Sequence, residues 1–245
     1  MKVFFVIFLF FSALDAAPYV GLQGSYFGHQ SNIKLKGKDF VPVNNYVRFL
    51  NVQKMHQNAL GLGMLIGYNY RINLVFTGFV EAGYTYLNSH KLKRNIDVLE
   101  EEGLPIRNQL EDEKVSIRIR HQISMVPGFY ISILDNMSGI MACGLTVTQY
   151  CVTAAHAAPG GNIRFDNIKT KRSFVFGIEP TLGVQYKTSD KVSTRLTVGY
   201  NIGQNKRVID NYIGSPSLSG THGVRSGVWI KPCSLNVRAA MIFEF

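Results

Sequence analysis

The sequence predicts an all-β fold: an eight-stranded antiparallel up-and-down barrel with its apolar side chains turned outward. Three observations carry this. Apolar residues alternate with small and polar ones over a dozen residues at a time, the period of a strand. Short and long connections alternate along the chain. One face of the strands is too bulky to fit inside a narrow barrel.

The elements follow in order. The first strand covers about 18–28. The second, about 58–70, sets Leu60, Leu62, Met64, Ile66, Tyr68 and Tyr70 against Gly61, Gly63, Leu65, Gly67 and Asn69. In the third, about 74–87, Leu74, Phe76, Val80, Ala82, Tyr84 and Tyr86 oppose Thr77, Glu81, Gly83 and Thr85. The fourth, about 115–131, sets Val115, Ile117, Ile119 and Ile123 against Ser116, Arg118, Arg120 and Gln122. The fifth, about 139–151, is the least regular. The sixth, about 173–187, places Phe174, Phe176, Ile178, Leu182 and Val184 opposite Gly177, Glu179, Thr181 and Gln185. The seventh, about 192–203, opposes Leu196, Val198, Tyr200 and Ile202 to Arg195, Thr197, Gly199 and Asn201. The last, about 228–245, ends on RAAMIFEF, with Phe243 and Phe245 on one face and Arg238, Ala240 and Ile242 on the other.

Tight turns rich in Asn, Asp and Ser join strands two to three, four to five and six to seven. Long segments at 29–57, 88–114, 152–172 and 204–227 make the remaining four connections. This is a meander with short turns at one end and four long loops at the other. Eight faces of Phe, Tyr, Leu and Ile would overfill the lumen of an eight-stranded barrel, which is just wide enough for side chains. Faces of Gly, Ser and Thr with one or two charges fit. The barrel therefore reads as transmembrane, apolar outside and polar within. Its strands match the ~9–11 residues that a tilted strand needs to cross a bilayer. Aromatics gather at both ends. Tyr68, Tyr70, Phe129, Tyr186 and Phe243 lie toward the short turns, and Tyr26, Tyr84, Tyr86, Phe174 and Tyr200 toward the loops, as two membrane interfaces require.

Composition agrees. Charged residues are 17%, aromatics 12%, and Gly 23 of 245 residues. Lys2 followed by the apolar run Val3–Leu14 and the small pair Ala16-Ala17 reads as a secretory signal peptide. The expected division is residues 1–16 as signal and 17–245 as one barrel domain, with cleavage after Ala16 or Ala17. The run is shorter than the ~20 residues of a membrane-spanning helix.

In lipid an open sheet edge leaves backbone groups unpaired, so the last strand must close on the first. At this point the chain resembles a known family. Arg238, Ala240, Phe243 and Phe245 are similar to the C-terminal signal of bacterial outer-membrane barrels, with Ala240 where Gly is usual. The mature chain resembles the eight-stranded barrels of the OmpA, opacity and surface-antigen type. The resemblance implies short periplasmic turns, extracellular loops, a bacterial outer-membrane location and recognition by the barrel-assembly machinery. A peptidoglycan-binding domain, present in some relatives, is not expected after Phe245.

The candidate site is a luminal charge cluster of Glu81, Arg118, Arg120, Glu179, Arg195 and Arg238. An unpaired charge there is costly, so pairing is expected, with Glu81 to Arg118 or Arg120 as the cross-strand pair. Such a cluster plugs the barrel or, alternatively, lines a small ion-selective pore. Acid–base catalysis is not expected, because adjacent arginines lower carboxylate pKa values. No catalytic, cofactor or metal site is predicted. His29, His56, His90, His156 and His222 fall in or beside loops without metal-ligand spacing, and His121 falls on the lipid face. A lipid-modifying enzyme would need a Ser near His121 on that face, and Ile119 and Ile123 flank it instead. Cys143, Cys151 and Cys233 are expected as free thiols, with a Cys151–Cys233 disulfide as the alternative.

Net charge is +10, and the four loops carry +4, −2, +3 and +2. Basic loops favour anionic partners: lipopolysaccharide phosphates in the surrounding membrane and sulfated host glycans. Sequence-specific nucleic-acid binding is not expected. The stretch DVLEEEGLPIRNQLEDEK reads as a short helix with a solvated acidic face. The function expected is a structural or adhesin-like surface protein.

Overall fold

The computed structural model describes residues 16–40, 46–89, 92–96, 113–157, 165–213 and 223–245. The signal-peptide segment and the acidic stretch read as a helix fall outside these, except for Ala16 and for Glu113 and Lys114, which lie in strands.

Ten strand segments form one antiparallel sheet: β1 (Ala16–Phe40), β2 (Tyr46–Arg71), β3 (Phe76–Ser89), β4 (Leu92–Ile96), β5 (Glu113–Leu134), β6 (Met137–Ala157), β7 (Phe165–Ser189), β8 (Val192–Gly203), β9 (Lys206–Ile213) and β10 (Gly223–Glu244). They fill eight positions around a ring. Strand β4 continues β3 along β5, and β9 continues β8 along β10. The ring closes where β1 pairs with β10 from Tyr19↔Glu244 to Phe40↔Gly223. The aromatic chain end is thus part of the seam. The Glu244 N–H donates to the Lys191 carbonyl at 2.9 Å and the Phe245 N–H to the Pro18 carbonyl at 3.2 Å.

The short turns are tight. Asp135-Asn136 joins β5 to β6, and Asp190-Lys191 joins β7 to β8. Between β2 and β3 the Asn73 Oδ1 accepts from the Val75 and Phe76 N–H groups at 2.9 and 2.8 Å, the local bonding that suits Asn to turns.

Around the middle of the ring, apolar side chains face outward. Leu62 is 76% exposed and Phe176 58%. On β2 this belt runs nine residues from Leu60 to Tyr68, within the range for a tilted crossing strand. Small residues line the inside because the lumen has no room. At Gly67 a Cβ would stand 2.4 Å from the Tyr19 Cζ. The missing side chain lets the Tyr19 ring cross its own neighbour strand and reach Glu81 on β3.

The strands do not stop at the outer aromatic girdle. They run on through much of what the sequence reading assigns to loops, and the facing inverts. Beyond the girdle Phe27, Ile33, Met55, Leu87, Val115, Ile117, Ile119, Tyr150, Val152, Val175, Val208, Ile209, Val228 and Ile230 point inward and form one buried cluster. Lys54, His56, Arg172 and Lys231 are exposed on the outside. The outer end of the barrel is therefore built like a soluble protein, with an apolar core and polar walls, stacked on a membrane-type middle. His29 and His56 sit on β1 and β2 rather than in loops. His29 is buried in this outer core, its Nε2 2.6 Å from the Ser31 Oγ and its ring 5.4 Å from that of Tyr150.

Candidate functional site

Two charged layers cross the lumen. In the layer nearer the short turns, Arg195 of β8 donates from Nη1 to the Glu81 Oε2 at 2.5 Å and from Nε to the Gln185 Oε1 at 3.1 Å. Its Nη2 donates to the Tyr130 hydroxyl. The Tyr19 hydroxyl donates to the same Glu81 oxygen at 3.1 Å. The rings of Tyr19, Phe79 and Tyr130 surround the guanidinium, with centroids at 5.7, 5.6 and 5.6 Å.

In the next layer outward, Arg238 of β10 is ion-paired to the Glu179 Oε1. The other Glu179 oxygen accepts from the Asn236 Nδ2 at 2.6 Å and the Asn201 Nδ2 at 3.3 Å. Arg238 Nη2 reaches the Gln122 Oε1 at 3.4 Å, and Gln122 in turn donates to the Thr148 Oγ1 at 3.2 Å. Two carboxylates and two guanidiniums balance. A small cavity of about 30 Å³ remains in this region.

Of the six residues, Glu81 pairs with Arg195 in one layer and Glu179 with Arg238 in the other. Arg118 and Arg120 pair with neither carboxylate, and Glu81 meets Arg195 instead. The cause is a bulge in β5. Ile119 opposes Tyr150 and His121 opposes Gln149, so Arg120 is an extra residue. Beyond it the facing of β5 flips: Val115, Ile117 and Ile119 enter the outer core, while Arg118, opposite Cys151, turns to the outer wall. The Ser89 hydroxyl fills the gap, donating to the Ile119 carbonyl and accepting its N–H, both at 2.8 Å. A strict period of two carried across position 120 misses this. Tyr19, Tyr130, Asn201 and Asn236 also escape a sequence reading, because nothing local marks a hydroxyl or amide as the partner of a charge several strands away.

His121 stays outside, its Nδ1 2.8 Å from the Tyr84 hydroxyl and its ring 6.0 Å from Tyr84 and 5.5 Å from Tyr86. Among the described residues no group of three or more His, Cys, Asp or Glu could hold a metal. Cys143, Cys151 and Cys233 are free thiols.

A closed antiparallel ring with an apolar outer belt, aromatic girdles and a charge-paired interior defines a membrane β-barrel of the bacterial outer membrane. The chain belongs to the family of the OmpA-like transmembrane domain, whose model matches residues 24–218. Among solved structures it is similar to the outer-membrane protease OmpT of Escherichia coli, at 10% identity and TM-score 0.48 over 93% of this chain and 97% of that one. It is also similar to Ail, the attachment invasion locus protein of Yersinia pestis, at 11% identity and TM-score 0.33 over 88% and 98%. Neisserial surface protein A shows 14% identity and TM-score 0.34 over 94% and 99%. No curated protein matches the chain.

Proposed function

We propose that this is a non-enzymatic surface barrel, structural or adhesin-like, that closes its lumen and presents a basic outer end to anionic partners. One observation supports the reading: the paired charges of Glu81, Arg195, Glu179 and Arg238 cross the lumen and an apolar core lies above them, and we read the two together as closing it. Beyond the girdle, positive charge lies on the outer wall instead, at Lys54, Arg118, Arg172 and Lys231. Anionic glycans, lipopolysaccharide phosphates among them, are the chemistry such a surface attracts.

In planar bilayers the folded protein is expected to pass no steady current, and Glu81→Ala to leave it closed, because the outer core remains. Steady conductance that changes with Glu81→Ala would establish the small ion-selective channel instead. In detergent the protein is expected to bind immobilised heparin at low salt and release it as salt rises past the screening range of about 0.15 M. Absence of binding at low salt removes the adhesive part of the proposal.

The chain end is proposed to be read by the barrel-assembly machinery. The Phe245 ring is 76% exposed, so it adds little to the folded barrel. Phe245→Ala is expected to lower the amount of assembled barrel in cells while leaving the denaturation midpoint of purified, refolded protein unchanged. Unaltered assembly in cells would dismiss the signal.

A further inference from the structure

The three short turns differ in character. The β2–β3 turn is shaped by Asn73, whose Oδ1 accepts two backbone N–H groups, while the Ile72 and Asn73 N–H groups both donate to the Phe76 carbonyl at 3.1 Å. Nothing in that bonding requires Ile72, Leu74 or Val75, and turns are ordinarily polar. Leu74, at 82%, is the most exposed large apolar side chain among the described residues, and Ile72 and Val75 are exposed with it. The Ser132 N–H donates to the Val75 carbonyl at 3.0 Å, which sets this turn beside the end of β5. There Ile133 and Leu134 are exposed as well. These apolar side chains gather past the inner girdle of Tyr68, Tyr70 and Phe129. The β7–β8 turn is the reverse. It exposes Lys187, Ser189, Asp190 and Lys191, with Lys187 and Asp190 paired at 3.3 Å.

The apolar turns are continuous with the lipid-facing wall. Phe129, Ile131 and Ile133 alternate along the outward face of β5, and Phe76 of β3 stands beside Ile131 in register. A Cβ at Gly139 of β6 would stand 3.4 Å from the Ile133 Cδ1, so the Ile133 side chain lies on that same wall. An exposed patch of this kind marks a contact with protein or membrane, and its continuity with the hydrocarbon belt points to lipid. Arg71 is exposed between Tyr70 and Ile72. Its apolar stem and charged head suit a side chain that crosses from acyl chain to phosphate.

We infer that phospholipid of the inner leaflet covers the β2–β3 and β5–β6 turns, so that the barrel is sunk on that side and its axis tilts. Ile72, Leu74, Val75, Ile133 and Leu134 enter the acyl boundary, and the β7–β8 turn stays in water. A bilayer answers a mismatch in apolar height by tilt of the protein or by local thinning. The inference rests on the membrane crossing of the belt and is independent of the adhesive reading.

A tryptophan placed in each turn tests it. In a Trp229→Phe background, which leaves a single reporter, Leu74→Trp and Ser189→Trp are reconstituted in phosphatidylcholine vesicles, plain or brominated on the acyl chains. Leu74→Trp is expected to emit blue-shifted light and to lose most of its intensity in brominated vesicles. Ser189→Trp is expected to emit as in water and to keep its intensity. A heat-modifiability gel establishes that each variant is folded. Should Trp229→Phe not fold, the same substitutions in the otherwise unsubstituted chain are read as difference spectra against it. The tilt is read from a Phe129→Trp reporter with bromines near the middle of the acyl chains. Ile72→Ser/Leu74→Ser/Leu134→Ser is expected to lower its quenching, as that side of the barrel moves toward the inner interface. Unquenched, water-like emission from Leu74→Trp, equal quenching at the two turns, or a Phe129→Trp signal unmoved by the triple would each overturn the inference.

Discussion

Glu179→Ala is expected to cost the barrel about 3–5 kcal/mol, the range for removing one partner of a buried ion pair. The carboxylate side chain is 3% exposed and that of Arg238 12%. Removing it leaves the Arg238 guanidinium buried in the lumen with the 3.4 Å hydrogen bond to Gln122 and the Phe27 ring, its centroid at 5.7 Å. It also strips Asn236 of its bond at Nδ2, while the Asn236 Oδ1 is already without a partner. The shift in the urea midpoint of refolded protein, followed by the loss of the compact band on an unheated gel, measures the cost. Glu179→Leu combined with Arg238→Met is expected to recover most of it, since replacing both members of a buried pair by apolar groups is often neutral or better. A double variant as unstable as Glu179→Ala would show that packing, and not charge, dominates the layer. The exposed pair Lys187–Asp190, at 3.3 Å, supplies the contrast: Asp190→Ala is expected to cost under about 1 kcal/mol.

The second large effect is a reversal of sign along the barrel wall. Leu62 faces the hydrocarbon belt, and Leu62→Lys is expected to cost about 2–4 kcal/mol, the depth-dependent cost of a cation on a lipid face. Ile230 faces the outer core at 0% exposure and Lys231 faces away. Ile230→Lys places an ammonium in an apolar core without a partner, and a cost of several kcal/mol is expected. The neighbouring Lys231→Ile is expected to stay within about 0.5 kcal/mol, as surface changes do. Within the belt the outward position is the intolerant one; beyond the girdle the inward position is. The lone tryptophan, Trp229, lies beside Ile230 and provides a fluorescence reading of the outer end apart from the gel assay of the whole barrel. If Ile230→Lys leaves both readings unchanged, the outer end lacks a dry core.

The inversion explains what the sequence reading saw and what it passed over. In the belt, runs such as Leu60 to Tyr68 alternate bulky with small, and bulk against lumen width assigns the faces. Beyond the girdle the alternation continues with the opposite sign. In Ile33 to Lys38 the apolar or small residues alternate with Lys34, Lys36 and Lys38. Counted as charge, this reads as a basic loop; counted as period, it reads as a strand. The same holds for Val115, Ile117 and Ile119 against Ser116, Arg118 and Arg120. There the intervening bulge also exchanged the faces, so Arg118, expected inside, lies on the wall, and Arg120 is the bulged residue itself.

The chain by itself determined the strand order, the short-turn and long-connection ends, the closure of the last strand on the first, and the outward belt. All of these follow from local periodicity and from the demand that every backbone group in lipid find a partner. The tertiary structure alone decided which arginine meets which carboxylate, how far the strands continue, and where outside becomes inside. Those outcomes depend on register across the ring and on one inserted residue at Arg120, whose effect reaches every side chain beyond it because a strand has only two faces.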